Sequence, residues 1–231
     1  MSLCAVSALS SPGTLNAGTI VSFDFTNFGS VQVELFETEA PLTVANFLNY
    51  VTAGRYDDTM IHRVDTSLGV VQGGGFTKTA AAVATAADPM IALEYSHPNV
   101  RGTLAMARTA SPNSATSQWY FNTHDNSTLL GQSNGGGYAV FGQVLGNGMD
   151  VIDAIAAVPT FAYGVPFNQV PLQNFSMTDF NNSADPLPHV VVLNSVSVVP
   201  EPSSFDLAVF GLVGLIVWRR RKLHCNSLDP A

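Results

Sequence analysis

Charge is scarce in this chain. Its 231 residues carry 9 Lys plus Arg and 17 Asp plus Glu, 11 per cent in all, against about 25 per cent in a typical soluble domain. Basic charge is scarcer still, because four of the nine cations, Arg219, Arg220, Arg221 and Lys222, sit together. Residues 1–218 hold five cations against sixteen acids, a net charge of −11. A nucleic-acid binder needs a basic face to displace counterions from phosphates, so that class is excluded. Cysteine is nearly missing: Cys4 and Cys225 both lie in terminal segments, and no disulfide framework runs through the body. Long hydrophobic runs are missing too, since only Leu207–Trp218 is apolar for more than ten residues. The five histidines (62, 97, 124, 189, 224) show no i, i+4 pair and no cysteine companion, so no metal site is expected. Neither Gly73–Gly75 nor Gly135–Gly137 is followed by Lys-Ser/Thr, and no Gly-x-Ser-x-Gly elbow occurs. No cofactor is called for. The glycines read instead as tight turns and places of close backbone approach.

What is present is core material. The apolar share is 46 per cent, with 14 Phe, 6 Tyr and 2 Trp, which argues against disorder. The expectation is one acidic globular domain of roughly 180 residues, large enough to bury a sizeable core, with a separate segment after it.

Along the body, Ile20–Phe25 and Val31–Leu35 alternate apolar and polar residues around the turn Thr26–Ser30, the pattern of a hairpin. Pro41 is a good first helical residue. Val44, Phe47, Leu48 and Val51 then fall at i, i+3, i+4 and i+7, predicting an amphipathic helix that ends before Gly54. Short apolar runs broken by Gly, Asn, Pro and Ser fill Tyr56–Gly146 and suit a closed β architecture. A second helix is predicted over Met149–Ala157, then a Pro- and Asn-rich loop over 158–188, and a last strand at Val190–Val199. This order argues for a mainly β barrel with two helices covering its ends.

The ends of the chain read differently. Pro200-Glu201-Pro202 is followed by the apolar dodecamer Leu207–Trp218 and then Arg219–Lys222. Twelve helical residues rise about 18 Å, short of the roughly 30 Å hydrocarbon core, so a full span would be thin and tilted. The cations after it fit a positive-inside stop. In this three-part order the segment resembles the PEP-CTERM sorting signal of certain Gram-negative bacteria. That resemblance implies export, membrane anchoring and processing by an exosortase-type enzyme. The nine residues after Lys222 depart from it, since such signals usually end soon after their basic cluster. At the other end, MSLCAVSALSS has a short apolar run and a small-x-small site but no basic n-region, and reads as a truncated secretion leader.

Three blocks of the body carry a second resemblance. IHRVDTSLGVVQGGGF (61–76), RGTLAMARTASPNSATSQWYFNT (101–123) and GYAVFGQVLGNGMDVID (137–153), with the helix EAPLTVANFLNYV (39–51), are similar to the cyclophilin family of peptidyl-prolyl isomerases. The similarity spans about residues 19–198. It implies a closed eight-stranded antiparallel β-barrel with two capping α-helices, and a hydrophobic outer groove that takes a proline-containing peptide.

By match to the family's His-Arg pair, Arg63 is the candidate that stabilises the twisted amide. Gln72 matches the glutamine that orients it. Ala107, Arg108 and Thr109 match the segment beside which the peptide lies. Gln118 corresponds to a polar contact, Tyr120 and Leu129 to walls of the proline pocket, and Tyr138 to a ring facing the substrate carbonyl. His62 reads either as structural or as a substrate contact. Met106 and Phe121 read as core. The chain departs from the family between Arg63 and Gln72, where a Pro-Gly-Phe-Met stretch is usual. Here the run is DTSLGVV, one residue longer, and Gly69 and Val70 stand where Phe and Met are expected. Leu68 is the candidate substitute. Thr128, before Leu129, stands at the family's tryptophan position, which implies a shallower pocket.

The chain therefore divides into a leader (1–18), an isomerase domain (19–199), a sorting and membrane segment (200–222) and a short tail (223–231). The expected activity is cis-trans isomerisation of Xaa-Pro bonds by an exported, envelope-anchored monomer acting on client proteins. A non-catalytic module that holds proline-rich segments is the competing expectation.

Overall fold

The computed structural model describes residues 18–79 and 83–200. Residues 1–17, where a leader is expected, the apolar dodecamer, the basic cluster and both cysteines lie outside the described residues. Among the described residues no helix is long and apolar enough to cross a membrane.

The alternating run at the start forms β1 (Ile20–Phe25), paired antiparallel with β2 (Gly29–Leu35) from Ile20 opposite Glu34 to Phe25 opposite Gly29. Gly29, at φ +101°, makes the turn possible. Pro41 opens helix α1 (Pro41–Thr52), which buries Val44, Phe47, Tyr50 and Val51 on one face. The short runs that follow are β3 (Thr59–Met60), β4 (Arg63–Asp65), β5 (Val70–Gly73), β6 (Thr103–Met106), β7 (Trp119–Asn122) and β8 (Val140–Val144). Helix α2 (Gly148–Ala156) starts one residue before the predicted position and buries Ile152 and Ile155.

The Pro- and Asn-rich stretch is not a plain loop. It holds the small antiparallel pair β9 (Thr160–Phe161) and β10 (Val170–Pro171), then the five-residue helix α3 (Met177–Asn181). Ser176 caps α3 through a reciprocal box with Asp179. Strand β11 (Val192–Val198) ends the domain.

Among the described residues the main sheet has nine strands, in the order β3-β11-β1-β2-β8-β6-β7-β5-β4. Its two outer members, β3 and β4, are one stretch of chain interrupted only at Ile61 and His62. Across that interruption Ile61 N–H donates to the Val191 carbonyl (2.9 Å) and His62 N–H to that of Gln72 (3.2 Å). Counting β3 and β4 as one bent strand leaves eight, and the sheet closes on itself, as the resemblance implied.

The barrel is filled by rings. Phe23 meets Trp119 and Phe121 edge to face at 5.1 and 5.2 Å, while Phe47 from α1 packs on Phe23, Tyr56 and Phe141. Met106 and Phe121 are buried in this core. The glycines around Trp119 make room for it: a methyl on Gly73 would lie 2.7 Å from its ring and one on Gly74, at φ +74°, 2.6 Å from its Nε1.

Candidate functional site

Strand pairing decides which side chains share a face. In successive antiparallel strands the row Val64, Val71, Phe121, Leu104 is in register, and so is the neighbouring row Arg63, Gln72, Tyr120, Ala105. Side chains alternate across a pleated sheet, so one row fills the barrel and the next stands on its outer surface. The first row is buried in the aromatic core. The second forms the base of a groove whose apolar part is completed by Val70, Leu130 and Val140, with Leu68, Ala107 and Tyr138 packed against them.

The groove has two lobes. A cavity of about 130 Å³ is lined by Arg63, Leu68, Val70, Gln72, Ala107, Arg108, Tyr120, Leu130 and Tyr138. A neighbouring one of about 160 Å³ shares Gln72, Ala107 and Arg108 and adds Thr109, Ser114, Thr116 and Gln118. Ten of the eleven residues singled out from sequence lie in or directly behind these lobes. The exception is Leu129. It is 58 per cent exposed and outside both linings, whereas Leu130, 6 per cent exposed, occupies the wall. The offset arises in the turn after Asn126, where Leu130 N–H donates to the Asn126 carbonyl (2.8 Å) and fixes which leucine points inward.

Arg63 is held on three sides. Its Nη1 donates to Gln72 Oε1 (3.2 Å), its Nη2 to Asp65 Oδ2 (2.6 Å), and its Nε to Gln169 Oε1 (3.2 Å). Gln72 Nε2 in turn donates to Gln118 Oε1 (2.8 Å), so a line of polar groups runs along the groove floor. A guanidinium has five N–H donors; three are committed here and two, one on each Nη, remain.

Asp65 and Gln169 are absent from the sequence-based set. Asp65 was legible in principle, because an acid two residues from an arginine in a strand projects from the same face. Gln169 was not, since it sits beside β10 and reaches β4 from more than a hundred residues away, where Val64 N–H donates to the Gln169 carbonyl (2.8 Å).

Asp65 serves two groups at once. While Oδ2 accepts from Arg63, Oδ1 accepts from Ser67 N–H (3.0 Å), Ser67 Oγ–H (2.7 Å) and Leu68 N–H (3.0 Å). Burial pushes its carboxyl up, but Ser67, Leu68 and Arg63 outweigh that and leave it below the usual carboxylate range. The turn so capped carries Leu68, then Gly69 at φ +68°, then Val70. A methyl at Gly69 would lie 2.4 Å from the His124 ring, so no side chain fits there and the pocket floor falls to Leu68 and Val70.

Arg108 borders both lobes, yet its guanidinium is turned to the backbone. It donates to the carbonyls of Gly137 (2.9 Å), Thr109 (2.9 Å), Ala110 (3.4 Å), Asn134 (2.9 Å) and Gly135 (3.1 Å), and its Cζ lies 4.3 Å above the Tyr138 ring. It pins the Gly135–Gly137 loop and Tyr138. Tyr120 is buried edge-on to Tyr138 and donates its hydroxyl to Asn99 Oδ1 (2.8 Å). Burial raises the Tyr120 hydroxyl well above its ordinary pKa, so it stays a donor. His62 lies behind the groove, against Phe76 and beside Gln118. Burial, with the Arg63 charge adding to it, lowers its pKa to about 4, and its Nδ1 has no hydrogen-bond partner among the described residues. Of its two readings the position favours the structural one.

Comparison with known proteins gives the same family as the residues. The family model described as "cyclophilin type peptidyl-prolyl cis-trans isomerase" matches residues 20–181. A peptidyl-prolyl cis-trans isomerase of Acinetobacter baylyi is 45 per cent identical over 157 residues, covering 68 per cent of this chain and 81 per cent of the relative. Peptidyl-prolyl cis-trans isomerase B of Escherichia coli is 40 per cent identical over 161 residues, covering 67 and 97 per cent. Among solved structures, a cyclophilin-type isomerase of Cryptosporidium parvum superposes with a TM-score of 0.60 at 19 per cent identity, covering 80 per cent of this chain and 99 per cent of that one; it speaks for the fold alone. A PEP-CTERM protein-sorting motif matches residues 198–222. A barrel closed by a bent strand, an outer groove walled by Tyr120 and Leu130, and these matches agree: this chain belongs to the cyclophilin-type peptidyl-prolyl cis-trans isomerases and carries a PEP-CTERM sorting motif.

Proposed function

We propose that this isomerase accelerates Xaa-Pro rotation through Arg63, with the proline ring seated against Leu68, Val70, Tyr120 and Leu130. Rotation meets a barrier of about 18–20 kcal/mol because resonance gives the C–N bond double-bond character. As the bond twists, the amide nitrogen pyramidalises and gains a lone pair that accepts a hydrogen bond. Nothing covalent is needed. A donor that bonds the twisted amide better than the planar one lowers the barrier.

The observation that carries the proposal is the state of the Arg63 guanidinium: permanently charged, anchored by Gln72, Asp65 and Gln169, and left with two donors in a lobe whose other walls include Leu68, Tyr120 and Leu130. Gln72 and Gln118 are the polar contacts for substrate backbone, and Ala107 and Thr109 flank the peptide. Leu129 drops out of the proline pocket in favour of Leu130. Tyr138 shapes the wall that Arg108 supports.

A charge-assisted hydrogen bond contributes about 1.5–3 kcal/mol. Arg63→Ala is therefore expected to lower kcat/KM by about a hundredfold, since each factor of ten is about 1.4 kcal/mol. The measurement is a protease-coupled or NMR exchange assay on an Ala-Pro peptide. Binding without turnover in the unmodified protein, or a variant within threefold of it, refutes the role of Arg63.

The sorting motif at 198–222 supports a second part of the reading. The isomerase is exported, anchored at the cell envelope through Leu207–Trp218 and Arg219–Lys222, and processed near Pro200–Pro202 by an exosortase-type enzyme. Its clients are proline-containing segments of exported proteins. Cell fractionation tests this: a purely cytosolic chain of full length contradicts it.

A further inference from the structure

We propose that Asp65 is a positioning residue that couples the two working parts of the groove, the guanidinium of Arg63 and the apolar floor at Leu68 and Val70. The inference rests on the reading of Arg63 above and adds to it. Asp65 lies in the DTSLGVV run, where the chain departs from its family's usual pattern, so no role comes to it by resemblance.

The two carboxylate oxygens are divided between two tasks. Oδ2 takes the Nη2 of Arg63 at 2.6 Å, and Oδ1 takes Ser67 N–H, Ser67 Oγ–H and Leu68 N–H at 3.0, 2.7 and 3.0 Å. The turn is also closed by Gly69 N–H on the Asp65 carbonyl (2.7 Å), and Thr123 N–H holds the Gly69 carbonyl (2.9 Å). A carboxylate pivoting to follow one partner therefore moves its hold on the other. Arg63 and the Leu68–Val70 turn are locked into one arrangement, with Asp65 as the common point.

The chemistry singles out a carboxylate. An ionised carboxylate offers two acceptor oxygens, whereas the amide of asparagine offers one oxygen and an NH2 donor. In Asp65→Asn the NH2 must face either the Arg63 Nη2 or the two backbone N–H groups, donor against donor, so only one task survives. In Asp65→Ala neither does. Gln72 and Gln169 still hold the guanidinium in both variants, so Arg63 stays in the groove but turns more freely.

The test is kinetic and spectroscopic. On an Ala-Pro peptide, Asp65→Ala is expected to lower kcat about tenfold through the guanidinium and to raise KM severalfold through the floor. Asp65→Asn should lose one of these and keep most of the other. By NMR, the Arg63 Nε–H and Leu68 methyl resonances of the full domain should both shift in Asp65→Ala, and Asp65→Asn should shift one more than the other. A thermal melt of each variant confirms the folded state. If Asp65→Ala fails to fold, Asp65→Asn, of nearly equal volume, carries the test. An Asp65→Asn protein with kcat, KM and both resonances unchanged overturns the proposal. So does a loss confined to one part in Asp65→Ala. Failure of the Arg63 reading looks different: Arg63→Ala then retains full activity while the two resonances still respond together to Asp65→Ala.

Discussion

Asn99 offers the most quantitative test of how the groove is built. It is fully buried behind the groove floor, and its side chain makes four hydrogen bonds. Nδ2 donates to the carbonyls of Leu130 (3.3 Å) and Tyr138 (3.1 Å); Oδ1 accepts from the Tyr120 hydroxyl (2.8 Å) and Asn122 Nδ2 (3.2 Å). Three of these partners belong to residues that wall the first lobe of the groove. In Asn99→Ala the Asn122 amide keeps Thr103 Oγ1 (2.9 Å), but the Tyr120 hydroxyl and the two carbonyls lose this partner. A buried polar group left unpaired costs about 1–3 kcal/mol, so three place the loss at about 3–9 kcal/mol. For a domain of this size each kcal/mol moves Tm by about 2–4 °C, and a fall of about 6 °C or more is expected. Urea unfolding followed by near-ultraviolet circular dichroism measures it, and KM for an Ala-Pro peptide should rise as Tyr120, Leu130 and Tyr138 relax. Asn99→Asp, which puts an ionisable acceptor oxygen in place of Nδ2 against the Leu130 and Tyr138 carbonyls, should destabilise at least as much. A loss below about 1 kcal/mol with unchanged KM would refute the view that this network holds the walls.

Two further outcomes follow from the same structure. In Gly74→Ala the added methyl meets Trp119 Nε1 at 2.6 Å and the Ser117 carbonyl at 2.7 Å in a left-handed backbone conformation; a loss of about 2–4 kcal/mol in urea unfolding is expected, and unchanged stability would contradict the packing described. His62 has a pKa of about 4 when folded, chiefly through burial, against an ordinary value of 6.5. The unfolded chain therefore binds the extra proton first, and stability is retained above pH 6.5 and falls between pH 6.5 and 4, by about 3 kcal/mol at most. Urea titrations across that window should show the fall in the unmodified protein and a smaller one in His62→Gln; equal slopes would remove His62 as its source.

Legibility in the sequence followed periodicity. The β1–β2 hairpin and α1 were readable because several apolar residues repeat at a fixed interval, and Arg63, Gln72 and Tyr120 because their surroundings are distinctive. The β9–β10 pair was not, since a two-residue strand has no period, and with it went Gln169. Asn99, Asn122 and Asn126 have the composition of a loop, yet they form a buried chain of amides, Asn126 Nδ2 donating to Asn122 Oδ1 at 2.9 Å. Leu129 and Leu130 are chemically identical, and only the turn geometry separates wall from surface. Arg108 lines both lobes, but five backbone carbonyls, which no sequence pattern displays, engage its guanidinium.

The order of the sheet also sets a timetable. β1 and β3 are both neighbours of β11, so the earliest strands of the chain are completed only by the last. During synthesis one edge of β1 stays open until residues 192–198 arrive, and an unpaired strand edge is a template for pairing with other chains. Gln169 reaches Arg63 almost as late. A chain halted before its final third would thus be both adhesive and without its full set of anchors. This isomerase depends, for most of its own synthesis, on being kept from unsuitable company.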